Sequence, residues 1–505
     1  MTVFTGHLPV FLIAVPLLAV PFLYLIDRLG ADSRNVALLL YALMALAAGV
    51  PWLPGFPAEV VVEIGGWPAD VGIELRLDAL ARLFLPVVGV IGLLGTVAAD
   101  PGEAEGPFYP LSFLLLAGSN GLLLTNDLFN AYVFLEITSI SSYALVGFRR
   151  DSRGFESGFK YIVVGSLASV LLLWGIAGLY AVSGTLAFSR FSAALPAVPG
   201  RAAVAAAVLV VVGLLAKLGI APFHAWKADA LAGAPRSVAA TLSGATVSAY
   251  FVVLVRVLTT IPGAIGVGWR PATGGLLTRM SAYGSEFLAA GIPGMLVVLA
   301  GASIIVGHLM ALRQTRLSRL LAYSSVAHFG YIIAGVAVGT VPALAGAFLH
   351  AVHHAFMKAG LFLFIPIAAD STECDRITSL TCGRIAPSLV GLVLVLLAMG
   401  MIGIPPAAGF ASKWLLVLET ARAGAPFAAI LIALGGAIAL VYYLRLSLAA
   451  VGRAHSSRQR RSPADVRVFA AFLVCAGYVF AAFWATDLLA GIAISVAETA
   501  LGGGG

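Results

Sequence analysis

Fourteen apolar runs, each about long enough to cross a bilayer as a helix, follow one another along this chain with short polar connections between them. A bilayer core offers the backbone no hydrogen-bonding partner, so an unbroken chain of such runs has one stable solution, a bundle of helices. The runs fall at about 8–26, 35–53, 78–98, 107–125, 128–148, 157–182, 202–226, 237–260, 286–311, 320–339, 342–368, 385–420, 425–448 and 467–492. With 61% hydrophobic residues and 10% charged ones, no stretch is left from which a soluble domain could be built, and a soluble enzyme is excluded. The expected fold is an all-α polytopic membrane protein, with 1–505 a single integral membrane domain. Met1 to Val10 lacks the basic stretch of a cleaved leader, so the first run reads as a retained helix.

The net charge of +7 sits in short loops and reads as a topology signal rather than a nucleic-acid footprint. Loops after odd-numbered runs carry nineteen cations, among them Arg28, Arg149, Arg150, Lys227, Arg236, Arg384, Arg453, Arg458, Arg460 and Arg461. The opposite side holds six: Arg76, Arg190, Arg201, Arg270, Arg279 and Arg422. That bias places the chain in a cell inner membrane with both termini on the outer face. The 54–76 loop, with Glu59, Glu63, Asp70 and Glu74 among alternating apolar residues, reads as an external hairpin. Cys374, Cys382 and Cys475 have no metal-ligand spacing, so neither a metal nor a bound cofactor is expected.

Five cations lie inside runs or at their ends: Arg82, Lys217, Arg256, Lys358 and Lys413. The chain has five lysines against twenty-five arginines, yet three of these five intramembrane cations are lysines. Arginine holds its proton under all biological conditions, whereas a desolvated lysine can release one. A mid-bilayer charge costs about 2.5–3.5 kcal/mol even on the lenient insertion scale, which marks such residues as functional. Glu136, in the fifth run, is the matching acid and forms with Lys217 a pair in which moving one charge loads or unloads the other. Arg82 and Arg256, at run ends, read as structural.

Six of the eight histidines, His224, His308, His328, His350, His353 and His354, fall in or beside runs. His350, His354 and Lys358 follow at i, i+4 and i+8, one face of a helix over about 12 Å, which suits a proton relay. His353 points to another face. Helix breakers recur too: Lys217-Leu218-Gly219-Ile220-Ala221-Pro222 in the seventh run and Met401-Ile402-Gly403-Ile404-Pro405-Pro406 in the twelfth share Gly-Ile-x-Pro. Five runs apart, the two copies must have opposite orientations, the trace of an inverted repeat with broken helices at ion sites.

These motifs resemble the antiporter-like, proton-conducting subunits shared by respiratory complex I, membrane-bound hydrogenases and Mrp-type cation/proton antiporters. The similarity runs from about 107 to 450. It rests on Asn126-Asp127-Leu128-Phe129-Asn130 leading to Glu136, Phe159-Lys160-Tyr161 with Gly165-Ser166, and Lys217 through Pro222-Phe223-His224-Ala225-Trp226 to Asp229 and Ala234-Pro235. It continues with Ala322-Tyr323-Ser324-Ser325-Val326-Ala327-His328, His350 through His354 to Lys358, and Gly403-Ile404-Pro405 through Gly409-Phe410 to Lys413.

The resemblance implies two inverted five-helix repeats, runs 4–8 (107–260) and 9–13 (286–448), flanked by a three-helix segment (1–106) and a last helix (467–492). Glu136 and Lys217 match the acid–lysine pair of the first half-channel. His328, His350, His354 and Lys358 match the central axis, Lys413 matches the terminal lysine, and His224 is a further candidate for the proton pathway. Helix breaks are expected at Gly219, Pro222, Gly403, Pro405 and Pro406. One departure is Ser248, which stands where many relatives carry a linking lysine. Because the chain ends soon after the fourteenth run, a type with a long lateral helix is disfavoured, and the nearest match is the D subunit of an Mrp-type antiporter. The alternatives are an equivalent subunit of a complex I or hydrogenase-related enzyme, a self-contained small-solute transporter, and a subunit that has lost conduction. On the first two readings the partners are other membrane subunits, with protons carried and sodium a candidate counter-ion. No redox or hydrolytic site of the chain's own is expected.

Overall fold

The computed structural model describes residues 2–67, 72–100, 106–149, 151–195, 200–261, 291–368, 375–379, 387–451 and 463–502. Asp70, Arg150, Arg270, Arg279, Cys374, Cys382, Arg384, Arg453, Arg458, Arg460 and Arg461, and the starts of the ninth and twelfth runs, lie outside the described residues. Among the described residues, twelve helices are long and apolar enough to cross a membrane, and Phe108–Leu124 and Leu389–Ile402 are shorter apolar helices. Together they occupy the fourteen expected places.

In chain order the first six are α1 (Thr2–Arg28), α2 (Ser33–Gly49), α3 (Ala79–Val97), α4 (Phe108–Leu124), α5 (Leu128–Val146) and α6 (Ser152–Ser183), followed by the short α7 (Phe188–Ala194). Several starts are fixed by an aspartate whose carboxylate accepts an otherwise orphaned backbone N–H. Asp32 takes that of Arg34 at 2.9 Å, Asp78 that of Ala81 at 2.8 Å, Asp127 that of Asn130 and Asp151 that of Gly154, both at 2.6 Å. Between α2 and α3 the expected hairpin forms. Its strands, β1 (Val60–Glu63) and β2 (Glu74–Leu77), are antiparallel with Val60 opposite Leu77 and Glu63 opposite Glu74.

The seventh run is two helices, α8 (Arg201–Leu218) and α9 (Ala225–Gly233). The eighth is α10 (Arg236–Thr241) and α11 (Val247–Thr260), joined through a π-helical turn at Leu242–Thr246. Then come α12 (Gly291–Arg313), α13 (Leu317–Val338) and α14 (Val341–Ala368). The twelfth run divides into α15 (Pro387–Ile402) and α16 (Ala408–Arg422), ahead of α17 (Pro426–Val451). The last run also divides, into α18 (Pro463–Trp484) and α19 (Thr486–Ala500), and α19 packs on α14 and α3.

Burial ranks these helices. The apolar windows of Arg236–Thr260, α13 and α14 are each 94% buried, against 33% for α1 and α2. Helices enclosed on every side present no lipid face, so polar side chains on them can meet only other protein groups or enclosed water. The residues singled out from sequence as titratable concentrate on and around these three.

Candidate functional site

Both broken helices are built from the same device. Leu218 ends α8 and Gly219 follows with φ +71°; Ile402 ends α15 and Gly403 follows with φ +91°. Only glycine takes this left-handed conformation cheaply, and it stops each helix with its last carbonyls unbonded. A lysine then folds back onto them. Lys227 Nζ donates to the Leu218 carbonyl at 2.8 Å, and Lys413 Nζ donates to those of Met401 and Ile402 at 2.6 and 2.9 Å. A Cβ on either glycine would lie 2.7 Å from the lysine Cδ, so the glycine also makes room for the stem. Pro222, Pro405 and Pro406 lack the N–H that would continue the helix. A helix C-terminus carries partial negative charge, which suits an ammonium there.

Lys227 therefore corrects the expectation from sequence, which puts it in a loop. It is 1% exposed, because α9 turns back into the bundle after the break instead of leaving the membrane, and Trp226 beside it donates its indole N–H to the Ala216 carbonyl. Arg236, also expected in a loop, is buried beside Asp375 at 3.6 Å.

In the first half the expected acid–lysine pair is present, at one remove. Lys217 Nζ lies 3.7 Å from Glu136 Oε1 but donates at 2.7 Å to Ser139 and at 3.2 Å to Tyr143. Glu136 accepts from Ser169, and Tyr250 of α11 reaches Ser139 at 3.5 Å. The carboxylate is not enclosed as a mid-run position suggests: its side chain is 30% exposed, against 1% for Lys217. It lies on the outward stripe of α5, in helical register with exposed Phe129, Val133 and Ile140.

In the second half His328 Nδ1 meets His350 Nε2 at 3.0 Å, the two rings stacked, and His350 Nδ1 meets Ser412 Oγ at 2.9 Å. His353, expected to face elsewhere, reaches the same Ser412 at 3.3 Å. All three members of the expected His350–His354–Lys358 relay meet α13. Lys358 donates to the Leu321 carbonyl and Ser324 Oγ, both at 2.7 Å, and to Tyr443 at 3.3 Å. His354 packs against His328 and Phe329, with ring centroids 5.6 and 5.1 Å apart. Because α14 is enclosed on all sides, its polar groups are met by side chains of the helices packed around it, His350, His354 and Lys358 by α13 and His350 and His353 by Ser412 of α16.

His308, which sequence reasoning notes but does not place in the path, bonds Tyr442 at 3.1 Å and Tyr331. Tyr331 also lies under the Lys413 ammonium, 5.0 Å from ring centre to Nζ. His224, half-buried at the start of α9, faces Tyr323 of α13. Ser248 hydrogen-bonds within its own helix, to the Gly244 carbonyl at 2.7 Å.

Arg256 and Arg82 play the structural parts expected of them. Arg256 clamps Asp78 at 2.9 and 3.0 Å and the Leu123 carbonyl at 2.8 Å, and Arg82 holds the carbonyls of Pro57 and Ala58. Among the described residues, Lys227, Lys358 and Lys413 have no carboxylate within ion-pair distance, and no three His, Cys, Asp or Glu side chains gather as a metal would require. Cys475 is a buried free thiol on α18.

Residues 125–274 and 269–439 match the family described as NADH:quinone oxidoreductase/Mrp antiporter, transmembrane. NADH-quinone oxidoreductase subunit N of Desulforudis audaxviator is 34% identical over 466 residues, covering 88% of this chain and 86% of the relative. A chain of the Mrp complex from Dietzia sp. DQ12-45-1b superposes with a TM-score of 0.85 at 24% identity, covering 100% of this chain and 98% of that one. A chain of respiratory complex I from Thermus thermophilus superposes with a TM-score of 0.74 at 25% identity, covering 96% and 99%.

Proposed function

The chain belongs to the NADH:quinone oxidoreductase/Mrp antiporter family of membrane subunits, and from that membership we propose that it is the proton-translocating, antiporter-like subunit of a redox-driven complex, most like a subunit N. The observation that carries this reading is the row of buried lysines, three of them with no acid beside them among the described residues. A fixed structural cation at such depth would need a counter-charge. One that alternates between charged and neutral states does not need one in both.

In the first half, a change of charge at Glu136 alters how firmly Lys217 holds its proton, through Ser139 and Tyr143. In the second half, His328, His350 and Ser412 form a hydrogen-bonded line, and an imidazole can accept a proton at one nitrogen and release one from the other. Lys413, on the carbonyls of the second break, is the terminal loading site. Residues 107–260 and 286–448 act as the two inverted halves, flanked by 1–106 and 467–492. Even with Lys227 and Arg236 placed inside, cations after odd-numbered runs outnumber those opposite, which supports both termini on the outer face of an inner membrane.

Partner subunits follow from Glu136. A carboxylate on an outward apolar stripe cannot face hydrocarbon, so a neighbouring membrane subunit covers α5 there. The motifs alone lean to the D subunit of an Mrp-type antiporter. The 34% identity to a subunit N moves the balance to the redox complex, whereas the Dietzia likeness at 24% identity speaks to the fold.

The test is proton flux into liposomes holding the complex purified with its partners and driven by its electron donor. Coupled flux that stops when Lys217 or Lys413 is replaced by Met is expected; undiminished flux in both variants overturns the reading. Solute uptake by the chain reconstituted alone would favour the self-contained transporter.

A further inference from the structure

We infer that Lys227 is the proton carrier that joins the two halves of the axis, at a place where the first half of the eighth helix offers none. The inference rests on the proposed proton-translocating role and names a residue that role leaves unassigned. From Ser237 to Ala249 that helix has no titratable side chain, and Ser248 spends its hydroxyl on Gly244.

Lys227 sits between the halves by its contacts. On one side its ammonium bonds the carbonyl of Leu218, the residue next to Lys217. On the other it lies over the Phe329 ring, 4.7 Å from the centroid, and that same ring meets His354 at 5.1 Å. His354 Nε2 is buried with no hydrogen-bond partner among the described residues, an open acceptor or donor beside the contact. The acid two positions on from Lys227, Asp229, is turned away to Lys160 at 3.1 Å and to Arg319.

The step conserves the proton. An N–H bond breaks at Lys217 Nζ and one forms at a neutral Lys227 Nζ. That bond then breaks as the proton passes to the His328–His354 cluster, with enclosed water spanning gaps longer than a hydrogen bond. At the second break Lys413 holds the same kind of position over Tyr331, so each half keeps one lysine on the open carbonyls of its own broken helix.

A helix cap alone would explain the carbonyl contact but asks only for a cation. The test therefore compares Lys227→Met and Lys227→Arg in the intact complex, reading coupled proton flux in liposomes alongside co-purification of partner subunits. Both variants are expected to assemble and to lose at least about tenfold in flux, because Arg keeps the charge but cannot release its proton. Flux within about twofold of the parent in assembled Lys227→Met overturns the inference, as does normal flux in Lys227→Arg. If neither variant assembles, Lys227 belongs to the fold and the carrier role is likewise overturned. Lys217→Met and Lys413→Met in the same assay separate the two claims: loss there with full flux in Lys227→Met defeats this inference and leaves the proposed function standing.

Discussion

The two halves of the axis hold their key lysines in opposite ways. Lys217 has a carboxylate 3.7 Å away that reaches the protein surface, and hydroxyls in between. Among the described residues, Lys358 and Lys413 bond or face only carbonyls, hydroxyls and aromatic rings. Attraction to an acid favours the charged lysine and can be withdrawn by whatever acts on that acid from outside. A lysine surrounded by neutral dipoles responds instead to the charge state of its titratable neighbours. The first half is thus built to receive a signal from an adjoining subunit, and the second to pass a proton along a line of imidazoles.

The largest effect that would break this comparison comes from replacing Lys217 or Lys413 by Arg. Both variants should assemble, since the cation is kept, and lose about a hundredfold or more in coupled proton flux, because a guanidinium has no accessible neutral state. Lys358→Arg should lose less, since Lys358 bonds Ser324 and Tyr443 off the His328–His350–Ser412 line. Flux near the parent level in all three would reduce the lysines to scaffolding.

Next in size is Glu136→Gln, which keeps shape and hydrogen bonding and removes the charge. Coupled flux should fall by at least about tenfold, through the first half alone. A matched effect from an acid variant outside the axis, such as Glu419→Gln, whose carboxylate bonds Arg422 at 2.8 Å, would show that the comparison is wrong.

Much of this is legible in the chain because it is local. Run length and composition dictate spanning helices, the β-branched Val60-Val61-Val62 and the alternating Glu74-Leu75-Arg76 read as paired strands, and Gly219 and Gly403 mark breaks by chemistry any window detects. Lys227 escapes such a window because the apolar run ends at Trp226, and nothing within its reach says that α9 turns back inside. The partners of His353 and Lys358 are out of reach for a related reason. Spacing along α14 tells which residues share a face but not which neighbour claims each one. Ser412, Tyr331 and Tyr442 carry no signal, since hydroxyls in apolar helices more often bond their own backbone.

Ser412 gives a smaller effect that sharpens the comparison within the second half. Its hydroxyl meets both His350 and His353, so Ser412→Ala cuts the histidine line at one point while leaving every charge in place. A slowing of about threefold to tenfold in coupled flux, with assembly unchanged, is expected, because water can enter the space of the lost hydroxyl. No change at all would move the proton route from His350 to His354.

The smallest effect belongs to Ser248. Its position invites the idea that a hydroxyl stands in for a lysine, which would make Ser248→Ala cut the path between the halves. The geometry argues otherwise, because the hydroxyl is 2% exposed and bonded at 2.7 Å to the Gly244 carbonyl in the same helix, on the edge of the π-helical turn. A serine whose proton is committed four residues back, with no side chain of a neighbouring helix bonded to it among the described residues, is poorly placed to hand a proton across. Ser248→Ala should therefore change coupled flux by less than about twofold and leave assembly intact. Flux lost to the extent expected for Lys217→Arg would return the link to the eighth helix and remove the need for Lys227 as a carrier. If Ser248→Ala is silent and Lys227→Met is not, the crossing between halves runs through the broken helix itself.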